Sequence, residues 1–207
     1  MLESHHRLAL IADLHGHIEI LLPALELCHA EKVDALVFLG DLIDRADQAD
    51  ACVEALRDWR AYGVSGNHEA EMLAALAQGA DLKLKPETIQ FIRALEPRLI
   101  AGDVCFLHDE LEEPRVDPLQ KFFNRETPRE NGYRVLFVGH THHRAARSDN
   151  GPLDVSHNIT LDPNREYVIN PGGARGTPCS FQTSKINRTT KNTKDTKKNK
   201  KTLCSLW

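Results

Sequence analysis

Five short apolar runs in this chain each stop at residues able to bind a metal or a proton, and that pattern limits its folding choices most. RLALIA (7–12) ends at Asp13 and His15, and ALVFL (35–39) at Gly40-Asp41 with Asp44 close behind. Tyr62–Val64 leads to Asn67 and His68, VCFL (104–107) to His108, and VLFV (135–138) to His140 and His142. Runs of three to six such residues are short for helices and fit buried strands. Between them lie segments of helical spacing. Ile18–Ala30 carries Leu21, Leu22, Leu25 and Cys28 on one face, with Pro23 tolerated near the first turn. Residues 48–61, 70–77 and 87–95 read as further helices, the last opened by Pro86. Tyr167–Ile169 is one more strand, before Asn170-Pro171-Gly172-Gly173. Alternating strands and helices predict an α/β domain with strands buried on both faces. Sites in such folds form beyond the carboxyl ends of the strands, so five such exits can converge on one point. No solenoid-period repeat is present.

Composition narrows the class. No span approaches the roughly 18 consecutive apolar residues of a membrane helix. The apolar part of the N-terminus is cut by Asp13 too early for a signal peptide. Five scattered cysteines without a C-x-x-C pair read as reduced thiols of a cytoplasmic protein, two or three of them core fillers. The formal charge of −4 hides an asymmetry. Residues 182–207 hold eight Lys/Arg against one Asp, a net of +7, which leaves 18 basic against 29 acidic residues, −11, in residues 1–181. The expected organisation is therefore a domain over 1–181 and a basic Lys/Asn/Thr-rich tail over 182–207. The tail reads as a solvated, disordered segment or a frameshifted gene end, since Lys, Asn and Thr share A-rich codons. An electrostatic arm for nucleic acid or anionic lipid is the functional alternative. The acidic body itself lacks the basic stripe of a nucleic-acid reader.

Each polar cluster also has an ordinary structural reading. Asp41 and Asp44 could be acidic residues at a helix start. Gly66-Asn67-His68-Glu69 could be a turn with an Asn cap. His108 could be a satisfied core histidine, and His140 and His142 merely exposed. The functional reading comes from the set. Asp13 and His15, two apart, share a side in extended backbone, as do His140 and His142, while His143 points away. Arg45 adds a fork suited to phosphate oxygens. Mixed His, Asp and Asn donors without thiolate suit Mn, Fe or Zn. Seven candidates, Asp13, His15, Asp41, Asn67, His108, His140 and His142, exceed what one ion takes and suit two ions sharing a carboxylate.

The ordered set DLHGH, GDLIDR, GNHE, a mid-chain histidine and GHTH resembles the calcineurin-like metallophosphoesterase superfamily over about residues 7–173. The resemblance implies a four-layer αββα sandwich, two mixed sheets flanked by helices. It implies that Asp13, His15 and His142 hold one divalent ion and Asn67, His108 and His140 the other, with Asp41 bridging. His68 would be the catalytic histidine, oriented by Asp44, with Arg45 facing the phosphoryl group. The implied activity is dinuclear-metal-dependent hydrolysis of a phosphomonoester or small phosphodiester through a metal-activated hydroxide, on a small phosphorylated substrate or a phosphoprotein. GNHE leans towards the protein-phosphatase and dinucleotide-tetraphosphatase branches. A metal-binding or catalytically silent interaction scaffold of the same fold is the alternative. Two departures stand out. Asp109 replaces the family's usual glycine after the mid-chain histidine. Residues 182–202 hold one strong aliphatic residue, Ile186, so the second sheet is expected to be incomplete at its C-terminal end. In the insert Asp109–Asn131, Arg115, Arg125 and Arg129 are candidate substrate contacts, or surface partners of the neighbouring glutamates.

Overall fold

The computed structural model of the chain describes residues 2, 5, 7–44, 46–108, 119–125, 127–173, 179–182 and 202–206. The elements run β1 (Arg7–Ile11), α1 (Ile18–Ala30), β2 (Ala35–Leu39), α2 (Ala46–Ala55), β3 (Ala61–Val64), α3 (Asn67–Ala77), α4 (Pro86–Arg93) and β4 (Arg98–Ala101). They continue with β5 (Val104–Leu107), α5 (Lys121–Arg125), β6 (Val135–Val138), β7 (Ala145–Ser148), β8 (Gly151–Pro152), β9 (Ile159–Leu161) and β10 (Tyr167–Asn170). Two last strands follow, β11 (Cys179–Gln182) and β12 (Thr202–Leu206).

The strands form two mixed six-stranded sheets, ordered β3-β2-β1-β11-β12-β9 and β4-β5-β6-β10-β7-β8. β1, β2 and β3 are mutually parallel, as are β5, β6 and β10, so the exits of each trio lie at one edge. Alternation along each strand builds the layers. Leu8 and Leu10, Val37 and Leu39, Val104 and Phe106, Val135 and Phe137, and Tyr167 and Ile169 meet between the sheets. The Phe106 and Phe137 rings stack there at 5.5 Å. Ala9, Ile11, Leu36 and Phe38 face the other way, against Leu21, Leu25 and Cys28 of α1, Cys52 of α2, Met72 of α3 and Ile92 of α4. Cys105, Leu136, Val138 and Val168 face outward from the second sheet against Leu119, Tyr133 and the α5 phenylalanines. The result is the helix–sheet–sheet–helix order expected of four layers.

Several boundaries differ from the sequence reading. α2 ends at Ala55 rather than 61, because Ala61 is needed to pair with Leu36 in the sheet. α3 begins at Asn67 rather than 70, which puts Asn67 and His68 in the first turn of a helix. The cap is Gly66, not Asn67, and the Glu69 carboxylate takes the Gly66 N–H. The first sheet also has strands where the sequence reading left a gap. Cys179–Gln182 pairs antiparallel with β1, and Thr202–Leu206 lies between β11 and β9. The polar stretch 183–201, with Ile186, lies outside the described residues. No helix among the described residues is long and apolar enough to cross a membrane.

Candidate metal centre

The exits of β1, β2, β3, β5 and β6 meet at one edge of the sandwich, and they do so through unusual backbone. Among the described residues, seven non-glycine positions have positive φ, and five of them are Asp13 (51°), His15 (51°), Asp41 (49°), His140 (72°) and His142 (57°). Asp and His tolerate the left-handed region better than most residues, yet each position still costs on the order of 1 kcal/mol. The pairs Asp13/His15 and His140/His142 therefore do not share a side through extended alternation. Left-handed turns after the strands re-aim each side chain, and the surrounding packing holds them.

The side chains gather in two groups around one oxygen. On one side, His15 Nε2 and His142 Nε2 are 3.1 Å apart, and His142 Nε2 is 3.8 Å from Asp13 Oδ1. On the other, His108 Nε2 lies 3.1 Å from Asn67 Oδ1 and 3.2 Å from His140 Nδ1. Asp41 Oδ2 stands between them, 3.9 Å from His15 Nε2 and 3.4 Å from His108 Nε2. All seven sequence-derived ligand candidates are thus brought together in two overlapping sets, and His15, Asp41 and His68 form a further metal-capable group between them. His143 is exposed and belongs to neither set.

Tautomers follow from the acceptors. His108 Nδ1 faces the Leu39 carbonyl at 2.8 Å, which can only accept, so the proton sits on Nδ1 and Nε2 turns a lone pair inward. His15 Nδ1 likewise donates to Asp44 Oδ2 at 3.1 Å and leaves its Nε2 facing inward. Lone pairs of these two imidazoles, an amide oxygen and carboxylates then oppose one another at short range. A cation or a proton between them relieves that repulsion. Asp13 adds a further sign: Oδ1 accepts the His140 N–H at 2.8 Å, but Oδ2 is buried with no hydrogen-bond partner among the described residues. An orphaned oxygen on a carboxylate whose other oxygen lies 3.8 Å from His142 Nε2 is one that a bound divalent ion would satisfy. The donors present therefore fit such ions.

The titration of these groups reflects the same crowding. Burial alone would raise Asp41, but the hydrogen bond and charge of His108, with the His68 N–H, hold it below the ordinary carboxylate value. Burial would lower His108, yet pairing with Asp41 and the Leu39 carbonyl carries it above the ordinary imidazole range. Burial raises Asp13 despite the His140 N–H and the nearby histidines. His15 is lowered, first by burial, so it is neutral and ready to ligate near pH 7.

His68 sits beside both groups, with Nε2 3.8 Å from Asp41 Oδ2 and its ring edge-on to His15 at 4.7 Å. Asp44, expected to orient it, is 4.0 Å from His68 Nδ1 and closer to His15. Arg45, Asp109 and Arg115 lie outside the described residues, as does the Arg125 side chain. Arg129 is exposed, 3.8 Å from Glu166. Two supporting residues escaped the sequence reading. Asn170, fully buried, donates to the Gly139 carbonyl at 2.8 Å and to Thr141 Oγ1 at 3.0 Å, which fixes the loop carrying His140 and His142. Its signal was its place before Pro171-Gly172-Gly173. Glu69 is the other, and its signal was the acidic residue three positions after the Gly66 cap.

Comparison with known proteins gives a consistent picture. Residues 6–170 match the family model described as calcineurin-like phosphoesterase. An uncharacterized protein of Methanocaldococcus jannaschii is 26% identical over 188 residues, 80% of this chain and 74% of that one. Serine/threonine-protein phosphatase 1 of Salmonella typhimurium is 38% identical over 68 residues, 32% of each chain. Among solved structures, a metallophosphoesterase from Sphaerobacter thermophilus superposes with TM-score 0.67 at 21% identity, covering 97% of this chain and 87% of that one. An archaeal phosphodiesterase superposes with TM-score 0.53 at 18% identity, covering 87% and 96%. At these identities the structural likeness establishes the fold.

Proposed function

The chain belongs to the calcineurin-like phosphoesterase family, and from that premise we propose that it hydrolyses a phosphomonoester or small phosphodiester with two divalent ions, Mn, Fe or Zn. The observation that carries the reading is the place of Asp41 Oδ2, 3.4 Å from a nitrogen of one donor group and 3.9 Å from a nitrogen of the other. A carboxylate in that place can serve two ions at once. Asp13, His15 and His142 would hold the first and Asn67, His108 and His140 the second. Such ions, when bound, supply Lewis acidity that withdraws charge from phosphoryl oxygens and makes water a nucleophile near neutral pH.

The chain's own residues supply the rest. Asp44 and the Leu39 carbonyl keep His15 and His108 in the tautomers that present Nε2 inward. His68, with a third of its side chain exposed beside Asp41, is placed to pass a proton from Nε2 to a departing alkoxide. The half-exposed His142 leaves the centre open on that side, which suits an incoming small phosphorylated substrate. The net −11 of residues 1–181 makes a polyanionic nucleic acid a poor substrate.

The test is hydrolysis of a chromogenic phosphomonoester and a chromogenic bis-ester by metal-stripped protein with manganese added back. Metal-dependent turnover of either supports the reading, and their ratio sets monoester against diester preference. Failure of protein holding two ions to turn over either ester would favour a silent scaffold.

A further inference from the structure

Glu69 is a carboxylate with no exposure at all, and both its oxygens are spent on backbone. Oε1 accepts the Ile43 N–H at 2.9 Å, and Oε2 accepts the Asp41 N–H at 3.0 Å and the Gly66 N–H at 2.8 Å. The return contact runs the other way, from the His68 N–H to Asp41 Oδ1 at 3.1 Å. Three of these four hydrogen bonds lace the loop after β2 to the first turn of α3, and the Gly66 bond closes that turn on itself.

The sheet alone does not require them. β2 and β3 already pair as far as Leu39 and Val64, so the two exits lie side by side without Glu69. What the carboxylate adds is the orientation of the Asp41 peptide, in a residue held at φ 49°, and its distance from Asn67 and His68. A Cβ on Gly66 would overlap the Asp41 carboxylate and amide, so the approach is closer than ordinary packing allows. We infer that Glu69 is a positioning residue that sets the Asp41 carboxylate between the two donor groups. The inference rests on Asp41 being a ligand shared by both ions. Neither water nor an amide can replace it. Water is excluded, and glutamine has one accepting oxygen where three N–H groups need two.

Glu69→Gln tests this, read by calorimetric titration of metal-free protein with manganese. The variant is expected to bind manganese roughly tenfold to a hundredfold more weakly, the range seen when groups behind metal ligands are removed. At saturating manganese, kcat is expected to recover with KM unchanged. A lower melting temperature with unchanged manganese affinity would overturn the proposal, because a purely structural residue behaves that way. Should the variant fail to fold, hydrogen exchange of the native chain without metal decides. The amides of Asp41, Ile43 and Gly66 are expected to exchange as slowly as those of β2, and fast exchange there would overturn it. The titration does not depend on turnover, so a wild-type chain that binds manganese without hydrolysing esters would defeat the activity and leave this result intact.

Discussion

At the residue scale, the centre is defined by where acidic and imidazole side chains accept left-handed backbone. The five motifs are built of Asp, His and Asn, the residue types that both ligate divalent ions and tolerate positive φ. Their geometry was not legible. Extended alternation was expected to align Asp13 with His15 and His140 with His142, whereas each of the four sits at positive φ instead. Nor could sequence show that Asp44 would lie 3.1 Å from His15 and 4.0 Å from His68, since that depends on how the turn after β2 closes. The role proposed for His68 is separable from metal binding. His68→Ala should bind manganese like the native chain and lose about 100-fold or more in kcat, as removal of a general acid does. Full activity in that variant would remove it from the mechanism.

At the scale of elements, helical spacing and continuous apolar runs were readable, and half-exposed strands were not. Ile18–Ala30 and Ala35–Leu39 came out as the apolar spacing indicates. β4, β7, β8 and β9 were missed because each leaves residues exposed or half-buried and lacks the continuous apolar run that marks β5, β6 and β10. Where elements meet at the centre, small residues decide how near they come. Gly66→Ala leaves ordinary backbone, with no positive φ, but drives a methyl into Asp41. It should abolish manganese binding in a titration. Gly79→Ala is the control: a Cβ there meets nothing within 4 Å, and only its φ of 87° is strained. It should cost about 1–2 kcal/mol in denaturant melts and bind manganese normally. Equal manganese affinity in the two variants would contradict the close approach between α3 and the Asp41 loop.

At the scale of the molecule, two facing sheets with helices outside place parallel-strand exits from both halves at one edge, and donor side chains from both halves meet there. The α/β class was legible from strands buried on both faces, whereas the four-layer order was implied only by the resemblance of the motifs to a family. The sheet completion was not, because β11 and β12 flank a polar stretch that reads as a tail. Three thiols report on the integrity of the layers. Burial pushes Cys28 and Cys105 to about 11 and Cys52 to about 12, so at pH 8 all three stay protonated and shielded. Mass-mapped alkylation of the folded chain should leave these three unmodified until denaturant is added, and rapid labelling of any would contradict its place in the core. The central claim, two ions joined by one carboxylate, is tested most directly by metal stoichiometry. Manganese titration of the metal-free chain should give two ions per chain, and Asp41→Asn should lose tight binding at both sites together. One ion in the native chain, or two retained by the variant, would contradict the shared centre.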